Sequence, residues 1–460
     1  MMKLLLALIL TLAFASLSFA QVETATPVTN CTSRTGLMVC AIPNLFGKNG
    51  LILKPELIDG VQHLPHFNGD FQSSFSPLGT AIGTELTLLP LASPASGFTY
   101  TFDQSTGLPA ATQQSFGPIL AERAETIGKG KYFLGVTYQY FSFDALDGVD
   151  LGKIPAVFTH DDPDAGGFHS DIITSSNSIK LYVNQATAFA TFGIASHVDL
   201  SLALPILQVR INANSFASIH WTNSASQQAH IFPNGGETQG FRVADSASGI
   251  GDVTARVKAA VIHGEHASLA LAADVRLPTG NEENFLGSGA YGIKPFLIAS
   301  ARSGKWSPHL NLGYQINGNS LLAGNFTGYD VGNVTQPRPA TSAHLPNDLF
   351  YTVGADVGAT KNLTLCFDFL GQRVFGAKII GPGAPFKPTA PEIATPGVTA
   401  APPYATTAVT TGSFNVMMGS AGLKTKLGPN LLLTANALFQ LNNNGLRAKV
   451  VPLLGLSYTF

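Results

Sequence analysis

The sequence predicts an all-β fold: an antiparallel transmembrane β-barrel of twelve strands, with fourteen as the alternative and an N-terminal plug or periplasmic segment. Three observations predict it. In the last run, Leu454, Leu456, Tyr458 and Phe460 fall on one face of a strand, and Gly455, Ser457 and Thr459 fall on the other. Alternate residues of a strand point to opposite faces, so this strand is greasy outside and small and polar inside. Second, from about residue 130 onward two alternating strands, a tight polar turn and a long loop recur in series. Third, charged residues make up 12% of the chain and glycines number 47. Beyond the leader, no run approaches the ~18 apolar residues of a spanning helix. Such a composition suits a surface facing lipid, with a large soluble β-protein as the rival.

The N-terminus reads as a secretory leader. Met1-Met2-Lys3 supplies one positive charge, residues 4–14 are apolar, and Ser18-Phe19-Ala20 is a small-x-small cleavage site before Gln21. The expected organisation is therefore a signal peptide at 1–20, a periplasmic or plug region at 21–125 and the barrel at 126–460. A formal charge of −2 carries no basic excess and argues against nucleic acid. Of three cysteines, Cys31 and Cys40 lie nine apart in an exported segment, where a disulfide is plausible; Cys366 sits singly inside a strand and reads as a small buried side chain.

The predicted strands begin with Lys131–Phe143. Ile179–Gly193 and Val198–Asn212 follow, joined at Ala195-Ser196-His197. Asp252–Ile262 meets Ser268–Leu277 at residues 263–266, and Tyr291–Ala301 meets Trp306–Asn317 at 303–305. Leu349–Gly358 and Leu363–Val374 turn at 360–362, and Phe414–Leu423 and Leu431–Leu441 at 428–430. Leu446–Phe460 closes the series. Leu269, Leu271, Ala273, Val275 and Leu277 form an outward face, as do Leu363, Leu365, Phe367 and Phe369. One strand changes phase: Val198, Leu200, Leu202 and Leu204 are followed by Leu207, Val209 and Ile211, which predicts a bulge at Pro205. Short turns belong on the periplasmic side and long loops outside. The loop Ile379–Thr411, rich in proline, is expected to lie extended on the outer rim. Thr84–Leu91 and Gly97–Phe102 read as strand-like runs, either a plug hairpin or the thirteenth and fourteenth strands.

Inward positions carry Asp252, Arg256 and Lys258, then Asp274 and Arg276, then Lys294. Asp356 and Asp368 follow on paired strands, and Arg447 and Lys449 near the outer end of the last. These charges either set a field across a pore or pair with one another and with the plug. Phe133, Tyr138, Tyr140, Phe141, Phe143, Phe189, Phe192 and Trp306 read mostly as interfacial girdle, with a hydrophobic-solute pocket as the sharper alternative. The acidic loop His160–Asp171 lacks the spaced ligands and closing Glu of a calcium loop, so no metal is assigned. No nucleophile elbow or other catalytic signature is present, and no enzyme activity or cofactor is expected.

Two stretches carry a resemblance. Residues 116–131 run Phe-Gly-Pro-Ile-Leu-Ala-Glu-Arg-Ala-Glu-Thr-Ile-Gly-Lys-Gly-Lys. Gly249-Ile250-Gly251-Asp252-Val253-Thr254-Ala255-Arg256-Val257-Lys258 is followed by Ala273-Asp274-Val275-Arg276-Leu277-Pro278-Thr279-Gly280. These resemble the outer-membrane transporter family associated with the MetA pathway of phenol degradation, similar in style to fatty-acid and toluene uptake channels. The resemblance implies import of small hydrophobic or aromatic compounds past an N-terminal plug. A general diffusion porin for polar solutes and a structural or adhesive barrel are the alternatives. The terminal strand ending on Tyr458 and Phe460 resembles the assembly signal read by the outer-membrane barrel machinery. Outer-membrane lipid and lipopolysaccharide are the other expected partners.

Overall fold

A computed structural model describes residues 31, 37–47, 51–54, 57–58, 61–62, 69–93, 100–103, 108–111, 115–159, 171–221, 230–264, 266–325, 340–387 and 403–460. The expected leader, most of the His160–Asp171 loop and the middle of the proline-rich loop lie outside them.

Twelve strands form the wall: β1 Tyr132–Leu146, β2 Ile172–Ala195, β3 Val198–His220, β4 Thr254–His263, β5 Ala267–Arg276 and β6 Gly292–Ala301. They continue as β7 Trp306–Asn317, β8 Asn347–Thr360, β9 Leu363–Pro382, β10 Thr407–Lys426, β11 Leu431–Gln440 and β12 Val450–Thr459. Each pairs antiparallel with the next, and β12 pairs back onto β1, with Leu456 opposite Val136. The ring is closed by reciprocal hydrogen bonds between Tyr132 and Phe460, of 2.8 and 2.9 Å. Closure leaves no free sheet edge, the condition for a sheet to stand in hydrocarbon. Among the described residues the count is twelve and the fourteen-strand alternative is not seen: Thr84–Leu86 ends the helix α1, Gly69–Leu86, and Tyr100–Asp103 pairs with Leu108–Ala111 rather than with the wall.

The lower half of the wall faces lipid. Leu134 and Val136 on β1, Leu200 and Leu202 on β3, Leu271 and Val275 on β5, Leu310 and Leu312 on β7, and Leu454 and Leu456 on β12 all stand exposed. At the periplasmic rim, Tyr132 stacks between Phe192 (4.6 Å) and Phe460 (5.6 Å), with Tyr458 beside Phe460. The next outward tyrosines on β1 are Tyr138 and Tyr140. From Tyr132 to Tyr140 a strand climbs about 26 Å at ~3.3 Å per residue, less once tilted, which matches an apolar band of ~25 Å flanked by aromatic girdles.

Above that level the polarity of the wall inverts. On β2, Ile179, Leu181 and Val183 point inward and are buried, while Lys180, Tyr182 and Asn184 face out. On β3, Val209, Ile211 and Ala213 are buried inside and Arg210 is exposed. The bulge expected in β3 at Pro205 is therefore absent: β3 keeps its phase, and its apolar residues change face where the strand leaves the membrane. The irregularity lies on the neighbour. The strand Thr238–Ile250 continues β4 upward, with Ile250 opposite Ile206 and Thr254 opposite Ala203, so residues 251–253 oppose only 204–205. Gly251 donates to the Pro205 carbonyl there at 2.8 Å.

Those upper, inward apolar residues pack on the N-terminal region. Met38, Val39, Ile42, Leu45, Leu51, Leu53 and, from α1, Leu78 and Ile82 share one buried cluster with Ile179, Leu181, Val209 and Ile211. Phe46 meets Phe158 and Phe241 edge-on at 5.5 and 4.8 Å. A disulfide joins Cys31 to Cys40 within this cluster. The outer half of the barrel is thus filled by apolar packing, which is why its inner face is greasy and its outer face polar.

Candidate functional site: a lumen cavity above a polar floor

Residues 115–131 line the periplasmic end of the lumen before the chain enters β1. The segment is anchored wherever it passes a strand. Phe116 donates to Thr364 Oγ1 at 2.9 Å, and Lys424 Nζ donates to the Pro118 carbonyl. Asn311 holds the Glu122 backbone at both ends, accepting its N–H at 2.7 Å and donating to its carbonyl at 2.8 Å. Ala124 donates to Ser300 Oγ, and Ile127 to Asp199. The exit needs two left-handed glycines, Gly128 (φ 97°) and Gly130 (φ 74°), which a side chain would disfavour.

Glu122, 3% exposed, is the charge centre of this floor. Its carboxylate accepts from Arg256 at 2.5 Å, from Lys258 at 3.3 Å and from Ser93 Oγ at 3.0 Å. Burial pushes this carboxyl up, but Lys258 and Arg256 outweigh it and hold it below the ordinary glutamate range. Arg256 also grips Asp274 with two bonds of 2.6 and 2.8 Å, and Asp274 takes Lys294 at 3.2 Å. Lys258 adds Asp199 at 3.6 Å and the carbonyls of Arg123 and Glu125. Glu125 pairs in turn with Arg302 at 3.0 Å.

The structure gathers some of the sequence-derived lumen residues and separates others. Arg256, Lys258, Asp274, Arg276 and Lys294 form one continuous inward patch. Asp252 lies at its edge and works as a staple: it accepts from Gly280 N and from Ser288 N, while Thr279 Oγ1 donates to the Gly251 carbonyl. The Gly-Asp and Leu-Pro-Thr-Gly stretches are thus one docked unit. Asp356 and Asp368 also face inward, around His309: Asp368 at 2.6 Å and Asp356 at 3.5 Å. Arg447 and Lys449 do not line the lumen. A break in pairing between Leu446–Ala448 and β12 turns both outward, where they pair with Asp144 at 3.0 and 3.2 Å. The aromatic set divides too: Phe133, Phe141, Phe143 and Phe189 are buried inside, whereas Tyr138 and Trp306 are exposed outside and Tyr140 and Phe192 share their outward phase. Tyr458 and Phe460 stand exposed on the outward face at the periplasmic rim, and Cys366 is buried against the Gly117 carbonyl.

Between the polar floor and the apolar upper packing lies a cavity of about 200 Å³. Its roof is residues 87–93, including Leu88, Leu89 and Leu91, and its wall includes Phe296, Phe350, Leu370 and Met418. Phe296 and Phe350 meet edge-to-face at 5.6 Å. Gly313 makes room for them, since a Cβ there would stand 2.4 Å from both side chains. Lys294 lies 4.8 Å over the Phe350 ring and Arg256 4.9 Å over Phe296, the arrangement of cation–π contacts. Sequence reasoning missed Glu122, Asn311, Phe296, Phe350 and Asp348. Glu122 was visible as an acid in an apolar segment just before the first strand, and Asp348 was lost because the strand reading began at Leu349.

Residues 161–364 match the family described as "Putative MetA-pathway of phenol degradation", so the resemblance expected from the sequence holds over that stretch. No curated protein matches. Among solved structures, a TodX deltaS2S3 mutant monoaromatic hydrocarbon channel is 9% identical with a TM-score of 0.34, covering 81% of this chain and 98% of that one. The Ralstonia pickettii toluene transporter TbuX is 8% identical with a TM-score of 0.32, covering 72% and 90%. A Pseudomonas aeruginosa FadL homologue is 12% identical with a TM-score of 0.30, covering 80% and 96%.

Proposed function

We propose that this chain, carrying the MetA-family match over residues 161–364, is an outer-membrane channel for passive uptake of small hydrophobic or aromatic compounds. The observation that carries the reading is the lumen cavity. It is of the scale that holds a single ring, since an apolar cavity of ~150 Å³ accepts benzene, and its apolar contacts come from Phe296, Phe350, Leu89 and Met418. The described lumen is filled above by apolar packing and below by the 115–131 floor. A water-filled pore for polar solutes would instead keep an open polar passage. In the proposed route a solute enters between the outer loops, rests in the cavity, and leaves when the N-terminal segments yield. The ion pairs on Glu122 hold the floor shut between passages. Outer-membrane lipid and the barrel assembly machinery, reading Tyr458 and Phe460, are the partners this reading requires.

The test is growth of a strain lacking the gene on limiting single-ring aromatic carbon sources. Slower growth, restored by the wild-type gene or by permeabilising the outer membrane, is expected. Equal growth on every such source would contradict the reading. In planar bilayers the purified protein should be nearly silent, whereas a steady large current would favour the general pore.

A further inference from the structure

Above the upper girdle, the outer face of the wall is basic along one arc. Tyr138 donates to Asn184 at 2.5 Å and Asn184 to Gln208 at 3.2 Å, so a polar ladder crosses β1, β2 and β3 where the apolar band ends. One row higher, Tyr182 stacks on Tyr140 with ring centroids 6.4 Å apart, and Arg210 stands directly opposite Tyr182. Lys180 lies two residues further up β2. On the strand Thr238–Ile250, Arg242 lies four residues above Ser246, the partner of Arg210. Lys180, Arg210 and Arg242 are exposed, point away from the lumen and have no ion pair among the described residues. On β1, Asp144 lies two residues above Ser142, the partner of Tyr182, and is taken up by Arg447 and Lys449 at 3.0 and 3.2 Å. It is the sole outward acid described on these strands, since Asp199 is buried inside and Asp245 opposes the buried Ile211. The arc thus sets five cations against one acid.

The height of the arc narrows what can answer that charge. From Arg210 to the level of Arg242 the wall rises about 13 Å at ~3.3 Å per residue, less once tilted. A phospholipid headgroup layer is only ~5–8 Å deep on each side of the hydrocarbon, so the arc outreaches it. A glycolipid that carries its phosphates on a stack of sugars has the required depth. Below Arg210, Leu202 and Ile206 are exposed on the same face of β3, at the level of acyl chains. We propose that this arc docks a lipopolysaccharide of the outer leaflet, with its phosphates on Arg210, Lys180 and Arg242 and its acyl chains along Leu202 and Ile206. A guanidinium grips a phosphate through two parallel hydrogen bonds, and each Lys or Arg near an anionic lipid surface adds to the attraction. The interaction is separate from solute uptake, and its failure leaves that reading untouched.

The experiment is native mass spectrometry of the full-length protein in detergent, titrated with deep-rough lipopolysaccharide and, separately, with phosphatidylglycerol. Lipopolysaccharide should bind the wild type more tightly than the single-phosphate lipid. The triple variant Lys180→Gln, Arg210→Gln, Arg242→Gln should weaken that binding at least ~10-fold. The double variant Lys305→Gln, Lys361→Gln, which removes charge at the periplasmic turns, should leave it unchanged. Heat-modifiable migration shows that each barrel has formed, and Arg210→Gln by itself should lose part of the affinity, which keeps the test open if the triple variant does not fold. Undiminished binding by the folded variants, an equal loss in the periplasmic double variant, or phosphatidylglycerol binding the wild type as tightly as lipopolysaccharide would overturn the inference.

Discussion

Replacing Glu122 with glutamine should open the floor of the barrel. The carboxylate is shared by Arg256 at 2.5 Å and Lys258 at 3.3 Å, both largely or wholly buried. Removing one partner of a buried ion pair costs about 3–5 kcal/mol because the other charge stays buried. Here the lower end applies. Arg256 keeps its two bonds to Asp274, and Lys258 keeps Asp199 and two backbone carbonyls. The backbone clamp from Asn311 is also untouched. A loss of about 3 kcal/mol corresponds to a ~100-fold rise in the population with the 115–131 segment released, at ~1.36 kcal/mol per tenfold. Planar-bilayer recording reads this as a comparable rise in the fraction of time spent conducting. Wild-type protein should move the same way in acid. Its Glu122 is held below the ordinary range, so its contribution is present above pH ~4.5 and is lost as pH falls through the lowered value. A folded, heat-modifiable Glu122→Gln protein as silent as the wild type would refute the assignment of this cluster as the closing element.

Three further outcomes follow from other parts of the molecule. Glu85, at the end of α1, is pushed up to about 8 by burial and by the nearby Asp147 and Asp348, against a backbone N–H from Leu446. The docked helix therefore keeps that proton at neutral pH, and its docking should weaken as pH rises from ~4.5 to about 8. Glu85→Gln should flatten this dependence in a limited-proteolysis profile, and a wild-type profile already flat over that range would count against it. Gly193 sits so close to the floor that a Cβ would lie 1.8 Å from the Gly128 carbonyl oxygen. Gly193→Val should sharply lower the yield of folded barrel, and a normal yield would show that the crossing at residues 128–131 is not fixed. Spin labels along β2 should report the polarity inversion: labels at Ala188 and Ala190 should be reached by oxygen, and labels at Lys180 and Tyr182 by a nickel chelate. Oxygen accessibility all along the strand would contradict the placement of the membrane.

The wall was legible because lipid acts on every outward residue of a strand alike. All twelve strands, their short turns and the outward faces of β5 and β9 could be read from a period of two. What failed did so where the solvent outside changes. Leu207, Val209 and Ile211 looked like a slipped register because apolar was equated with outward, whereas in the outer half Val209 and Ile211 belong to the inner buried cluster that also holds Ile42, Leu45 and Leu53, and Leu207 packs against it. Arg447 and Lys449 were misplaced by a single break in pairing, since one residue of slip moves a whole set to the other face. The N-terminal region was opaque for a different reason: its apolar residues answer to a container built by residues far along the chain. The lumen charges were found as residues but not as pairs, because Glu122 reaches Arg256 and Lys258 across more than 130 positions, and spacing carries no trace of such a contact.

The direct test of the account is where a solute sits. Crystals of the protein grown with a bromine-labelled single-ring aromatic should show anomalous density in the cavity between residues 87–93 and the Phe296–Phe350 pair. Density confined to the outer wall or the detergent belt, with the cavity empty at saturating ligand, would contradict passage through the lumen.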